Sequence, residues 1–130
     1  FFRYPSVKEF ITSTHKKAKQ DKKVRTLWKR LRHLSFDDKE HAHKALRQSV
    51  NTIIQGTAAD VVKQAMIKTQ TLMRAAKIKG HLLLQIHDEL IYEVVPGDLR
   101  RMCACLKEGM EGAIKLEVPL TINERIGLRW

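Results

Sequence analysis

The sequence predicts an α+β fold, a small antiparallel sheet with a central hairpin, covered on one face by helices. Three observations predict it. Apolar residues recur three and four apart over residues 6–20, 46–76 and 99–114, the period of amphipathic helices. Two apolar runs of strand length, residues 82–86 and 90–95, are joined by His87, Asp88 and Glu89, and the second closes on Pro96-Gly97. Val118, Leu120 and Ile122 alternate with Pro119, Thr121 and Asn123, as in an edge or half-buried strand.

The chain of 130 residues has room for one domain. It is read as a single partial domain in three segments: a basic helix and hairpin over 1–36, a long helical segment over 37–79, and hairpin, helix and final strand over 80–130. Net charge is +11, and residues 1–50 carry 14 Lys and Arg against 5 Asp and Glu, whereas residues 51–130 carry 11 against 9. Such a basic front points to a polyanionic partner. Aromatic residues are only 6% of the chain, which favours duplex over a single-strand stacking platform. Cys103 and Cys105 are two apart on a helix, so they face different ways and cannot pair; they read as core thiols in a reducing compartment. No apolar run is long enough to span a membrane, and the N-terminus lacks the apolar stretch of a signal peptide. Beginning at Phe1, the chain reads as a fragment or the end of something larger.

In order, Ser6 is placed to cap the first helix and Glu9 to complete a capping box. Residues 16–32 hold nine basic side chains opposed only by Asp21, yet Val24, Leu27, Trp28 and Leu31 argue against a disordered tail, so a basic strand pair or helix lying along phosphates is expected. Residues 35–41 form a polar break. The longest periodic signal follows, through Leu46, Val50, Ile53, Ile54, Ala58, Val61, Val62, Ala65, Met66, Thr69, Leu72, Met73 and Ala76, with Gly56 expected to divide or kink it. On its flank Arg47, Asn51 and Gln55 recur every fourth residue and share one face. Asp98 is expected to cap the third helix.

The hairpin tip has poor turn chemistry. Asn-Gly or Asp-Gly would tolerate the positive backbone angles of tight turns more easily than His87, Asp88 and Glu89. Two acids and an imidazole there suggest a site held on a rigid platform. An ordinary hairpin with a solvated polar tip is the alternative.

Arg47-Gln-Ser-Val-Asn51-Thr-Ile-Ile-Gln55-Gly56-Thr57-Ala58-Ala59-Asp60, followed some thirty residues later by Gln85-Ile-His87-Asp88-Glu89-Leu90, resembles the C-terminal palm of family A DNA polymerases, in wording closest to theta-like and nu-like members. Tyr4-Pro5-Ser-Val is similar to the family's segment after the fingers, Val24-Arg-Thr-Leu to its basic hairpin, and Ile126-Gly-Leu-Arg-Trp130 to its closing strand. The resemblance implies nucleotidyl transfer for DNA replication or repair at a two-metal magnesium site, with Asp88 and Glu89 as catalytic and metal-binding carboxylates and the site completed by residues outside this chain. It implies duplex primer-template as partner and deoxynucleoside triphosphates as substrates in a full-length parent. Arg47, Asn51, Gln55, Gln85 and His87, with Lys29, Arg30 and Arg32 of the basic hairpin, would contact DNA. Where the family's hairpin has a glycine in its turn and a proline after it, this chain has Lys29-Arg30-Leu31-Arg32 and Ser35. The upstream Asp motif and the fingers helix are absent from these residues, so the isolated chain is expected to be inactive. A non-catalytic DNA-binding remnant is the rival reading, and a metal-dependent nuclease a weaker one. The nucleus is the expected compartment, with mitochondrion and bacterial cytoplasm as alternatives; the oligomeric state is not legible.

Overall fold

Pro5 opens the first helix, α1 (Pro5–Asp21), at the position where a missing N–H and a preset φ suit helix initiation. The structure, a computed structural model, describes residues 4–128. The expected Ser6 cap and Glu9 capping box do not form. Tyr4 occupies the cap position with no side-chain hydrogen bond and Ser6 lies inside the helix, because proline starts the first turn one residue earlier. α1 ends on Lys22, which takes a left-handed φ of 50° and whose N–H bonds to the Ala18 carbonyl at 3.0 Å. Two units follow from the packing, Phe1–Ala58 and Ala59–Trp130.

In the first unit the basic run forms a strand pair, β1 (Lys23–Arg25) antiparallel to β2 (Leu31–His33), with Val24 opposite Arg32. Ala18, Val24, Leu34 and Ala45 make the buried cluster, with Phe36 packed against it. The next helix, α2 (Lys39–Ala75), starts where Asp38 Oδ1 accepts the His41 N–H at 2.8 Å. Its 37 residues run without interruption, so Gly56 neither divides nor ends it. Gly56 instead admits the hairpin: a Cβ there would lie 2.6 Å from Thr26 Cγ2. Close approach also shifts which residues are buried. Small side chains at Ala45, Ser49 and Thr52 take the inner line, while Ile54, expected inside, is 54% exposed.

The second unit contains the end of α2, the hairpin strands β3 (Gly80–Ile86) and β4 (Glu89–Val94), a 3-10 turn (Pro96–Asp98) and α3 (Leu99–Glu111). Lys77 N–H bonds to the Arg74 carbonyl and Ile78 N–H to that of Met73, the paired bonds of a Schellman ending, with Lys77 at φ 52° and Ile78 folded back onto Met73. Met73, Ile78 and Met102 form the buried cluster, against which Tyr92, Val94, Cys105 and Leu106 pack, so helices cover one face of the hairpin as expected. Asp98 stands at the cap position of α3 but does not cap it with its side chain. Its carboxylate accepts the Lys79 N–H at 2.8 Å and pairs with Arg101 at 2.8 Å, tying the chain entering β3 to α3.

The fold class is α+β, with two two-stranded antiparallel sheets among the described residues, β1–β2 and β3–β4, where one sheet was expected. The expected strand around residues 118–122 does not form. Val118 is 76% exposed, and the Ile122 N–H bonds to Glu111 Oε1 at 3.2 Å rather than to a strand; extended residues become a strand only when a neighbouring edge supplies partners. Residues 126–128 also lie outside any strand, and Arg129 and Trp130, the end of the expected closing strand, fall outside the described residues. Cys103 and Cys105 are free and half-buried, and burial raises both thiol pKa values, with Glu124 adding to the rise at Cys103.

Candidate nucleic-acid and metal site

The β3–β4 ladder places the tip. Gly80 pairs with Val94 and Leu82 with Tyr92, but the next pair is Leu84 with Ile91, so Leu83 is an extra residue, a bulge. Continued unbroken, the outer register would leave a three-residue loop of residues 86–88. The bulge shifts it by one, Ile86 pairs with Glu89, and only His87 and Asp88 remain in the turn. Glu89, expected in the tip, is therefore the first residue of β4. His87 takes φ 53°. Histidine tolerates this region better than most side chains, but the conformation still costs about 1 kcal/mol. Strain held in an exposed turn is characteristic of functional sites.

The side chains of His87, Asp88 and Glu89 are exposed, and the two carboxylates make no ion pair or hydrogen bond among the described residues. Gln85, two residues before the turn and also exposed, donates from Nε2 to the His87 carbonyl at 2.9 Å. Farther down the hairpin, Tyr92 is half-buried; burial raises its phenol pKa and the Thr69 hydroxyl offsets part of the rise, although neither oxygen completes a hydrogen bond. Asp88 and Glu89 offer hard oxygen donors of the kind magnesium takes. No group of three or more His, Cys, Asp or Glu side chains that could hold a metal ion gathers among the described residues.

In the first unit, the loop between β1 and β2 folds on Thr26. The Thr26 N–H bonds to the Arg30 carbonyl at 3.0 Å, the Thr26 carbonyl accepts Lys29 N–H at 2.9 Å, and its hydroxyl accepts Arg30 N–H at 3.2 Å. Lys29, standing in the turn where the resembled hairpin carries glycine, has φ 63°. Arg30 donates to the Gly56 carbonyl at 2.9 Å, Arg32 to the Thr52 hydroxyl at 3.3 Å, and the Leu27 N–H to the Thr57 hydroxyl at 3.1 Å. Two of the three hairpin cations expected on DNA thus also anchor the hairpin to α2, beside Gln55. Arg47, Asn51 and Gln55 form an exposed row on α2. Thr26, Thr52 and Thr57 escaped sequence reasoning; the one signal for them was a glycine inside an otherwise helical run.

The family model for DNA polymerase family A matches residues 1–130. The chain belongs to DNA polymerase family A. DNA polymerase I of Geobacillus stearothermophilus is 38% identical over 136 residues, covering 100% of this chain and 15% of that protein. The same protein of Streptococcus pneumoniae serotype 4 is 36% identical over 133 residues, again 100% of this chain and 15% of the relative. This family A chain therefore spans about 15% of the length of these bacterial relatives. Among solved structures, the POL domain of Pol1 from M. smegmatis, in complex with DNA primer-template and dNTP, matches with a TM-score of 0.86 and 32% identity, covering 92% of this chain and 22% of that one.

Proposed function

We propose that this chain is the C-terminal palm portion of a DNA-directed DNA polymerase, gripping primer-template duplex and contributing Asp88 to a two-metal nucleotidyl-transfer site. The observation that carries the reading is Asp88 itself, an exposed carboxylate without a protein partner among the described residues, held on a two-residue turn by a bulged hairpin. In-line transfer demands placement of this kind, since small displacements of positioned groups lower rates steeply. Magnesium bound there would lower the pKa of the primer 3′-hydroxyl and stabilise the departing pyrophosphate.

Asp88 supplies the primary oxygen ligand and Glu89, fixed in the ladder, a supporting carboxylate. His87 lies against the primer terminus. Arg47, Asn51 and Gln55 meet the duplex through minor-groove and backbone groups, whose donor and acceptor pattern varies little with sequence. Lys29, Arg30 and Arg32 add phosphate affinity; for the two arginines this is a field effect as much as contact, because donors on both are bonded to α2. Deoxynucleoside triphosphates are the second substrate, in line with the dNTP in the M. smegmatis complex. The bacterial relatives favour a bacterial cytoplasm over the expected nucleus. No described helix is long and apolar enough to cross a membrane.

Primer extension by the full-length polymerase tests the reading. Asp88→Ala is expected to lower extension on the order of 10³-fold or more, several kcal/mol of lost charge stabilisation, with duplex Kd little changed. Extension surviving that change would show that Asp88 is not a ligand. Duplex binding without any extension by the unaltered full-length protein would establish the non-catalytic remnant.

A further inference from the structure

We propose that Gln85 is a positioning residue, bracing the His87–Asp88 peptide so that the Asp88 carboxylate is aimed at its metal, rather than a direct reader of DNA. The inference rests on Asp88 being a metal ligand. It begins from the turn. With Ile86 and Glu89 the last ladder pair, the peptide between His87 and Asp88 lies beyond the sheet. That peptide is the one whose rotation swings Asp88. The left-handed φ of His87 is unsupported by glycine, so the turn has other conformations within thermal reach unless something holds it.

Gln85 is the group that holds it. Residues two apart on a strand share a face, so the Gln85 side chain stands beside the turn. Its Nε2 donates to the His87 carbonyl at 2.9 Å, a distance typical of a full hydrogen bond. The carbonyl oxygen of the amide faces no donor among the bonds this side chain makes, so the bond has one polarity: donor on residue 85, acceptor on the turn. The bulge at Leu83 matters here as well. It sets the register between itself and the tip, and so decides that Gln85 lies two residues before a two-residue turn.

Residues that orient a ligand without touching the metal commonly change activity 10- to 100-fold when removed. The test uses the full-length polymerase with Gln85→Met, which keeps length but has no donor, and Gln85→Glu, which keeps shape but offers an acceptor to an acceptor. Both are expected to lower kcat about 10- to 100-fold and to raise the magnesium concentration at half-maximal rate several-fold. Duplex Kd and the KM for deoxynucleotide should stay within about twofold and the thermal midpoint within about 2 °C, since residue 85 is exposed and each change removes one surface hydrogen bond. A rise in duplex Kd with kcat and magnesium dependence intact would make Gln85 a DNA contact and overturn the proposal. Unchanged kinetics in both variants would also overturn it. Asp88→Ala, measured alongside, separates the two levels. If that variant is dead and the Gln85 variants are normal, only the brace fails; if it is active, the metal reading fails and the brace with it.

Discussion

Among the described residues, four with side chains, Lys22, Lys29, Lys77 and His87, hold backbone angles that glycine would hold without strain. Lys22 and Lys77 end helices, and Lys29 and His87 turn hairpins; of the four, His87 alone stands beside the candidate ligand. Lys77→Gly is expected to raise stability by about 0.5–1 kcal/mol, the relieved left-handed penalty less the extra freedom of an unfolded glycine, read as a thermal midpoint higher by a few degrees. Gly56 gives the opposite case. Gly56→Ala gains helix propensity of about 1 kcal/mol but drives a Cβ to 2.6 Å from the buried Thr26 Cγ2. A net loss of about 1–3 kcal/mol is expected from overpacking. Thr26→Ser, which deletes that methyl and keeps the hydroxyl that accepts Arg30 N–H, should restore most of it in a denaturation double-mutant cycle. The identities of the tip residues were legible in the sequence, but their conformation was not, because a left-handed lysine or histidine leaves no compositional mark.

At the scale of elements, helix periods survived into the structure while helix ends and strand register did not. Asp38 starts α2 and was legible only as part of a polar break, whereas Asp98, read as a cap, serves as a clasp between Lys79 and Arg101. The bulge at Leu83 was illegible because one more leucine among three changes the register and leaves the pattern apolar. Hydrogen bonds, from His41 N–H at Asp38 and from Lys79 N–H at Asp98, hold both carboxyl pKa values below their ordinary value. A lowered pKa means that the unfolded state binds the proton more readily. The stabilisation is therefore complete above the ordinary carboxylate range and is lost as pH falls through the folded-state values, below about pH 4. Asp98→Asn is expected to flatten the fall in thermal midpoint on acidification from about pH 5 to pH 2, with the difference from the unaltered chain vanishing at the acid end. Within the second unit, Gly109 meets α2 so closely that a Cβ would come 2.9 Å from Thr69 Cα and closer still to its hydroxyl. Gly109→Ala should thus destabilise by about 2 kcal/mol or more, while Tyr92→Phe, which deletes a buried hydroxyl lacking a bond, should be neutral or stabilising in the same denaturant titration.

For the whole molecule, net charge says that a polyanion is attracted without saying which cations touch it. Of the 14 basic residues in the first 50, Arg30 and Arg32 are bonded to α2, whereas Lys29 stands exposed at the turn. This difference separates two kinds of loss. Lys29→Ala should weaken duplex binding alike on all sequences and reduce the slope of log Kobs against log salt by about one, the signature of one phosphate contact. Its effect on stability should be small. Arg30→Ala should lower the thermal midpoint, because the guanidinium that reaches the Gly56 carbonyl and helps seat the hairpin is gone. Its duplex affinity should fall partly through that loosening, so that lowering the temperature recovers some affinity for Arg30→Ala and none for Lys29→Ala. Salt titrations by fluorescence anisotropy at two temperatures distinguish the cases. Equal salt slopes and equal temperature responses for the two variants would mean that the bonds from Arg30 to α2 do not matter on DNA, and that the basic hairpin acts only as a cloud of charge.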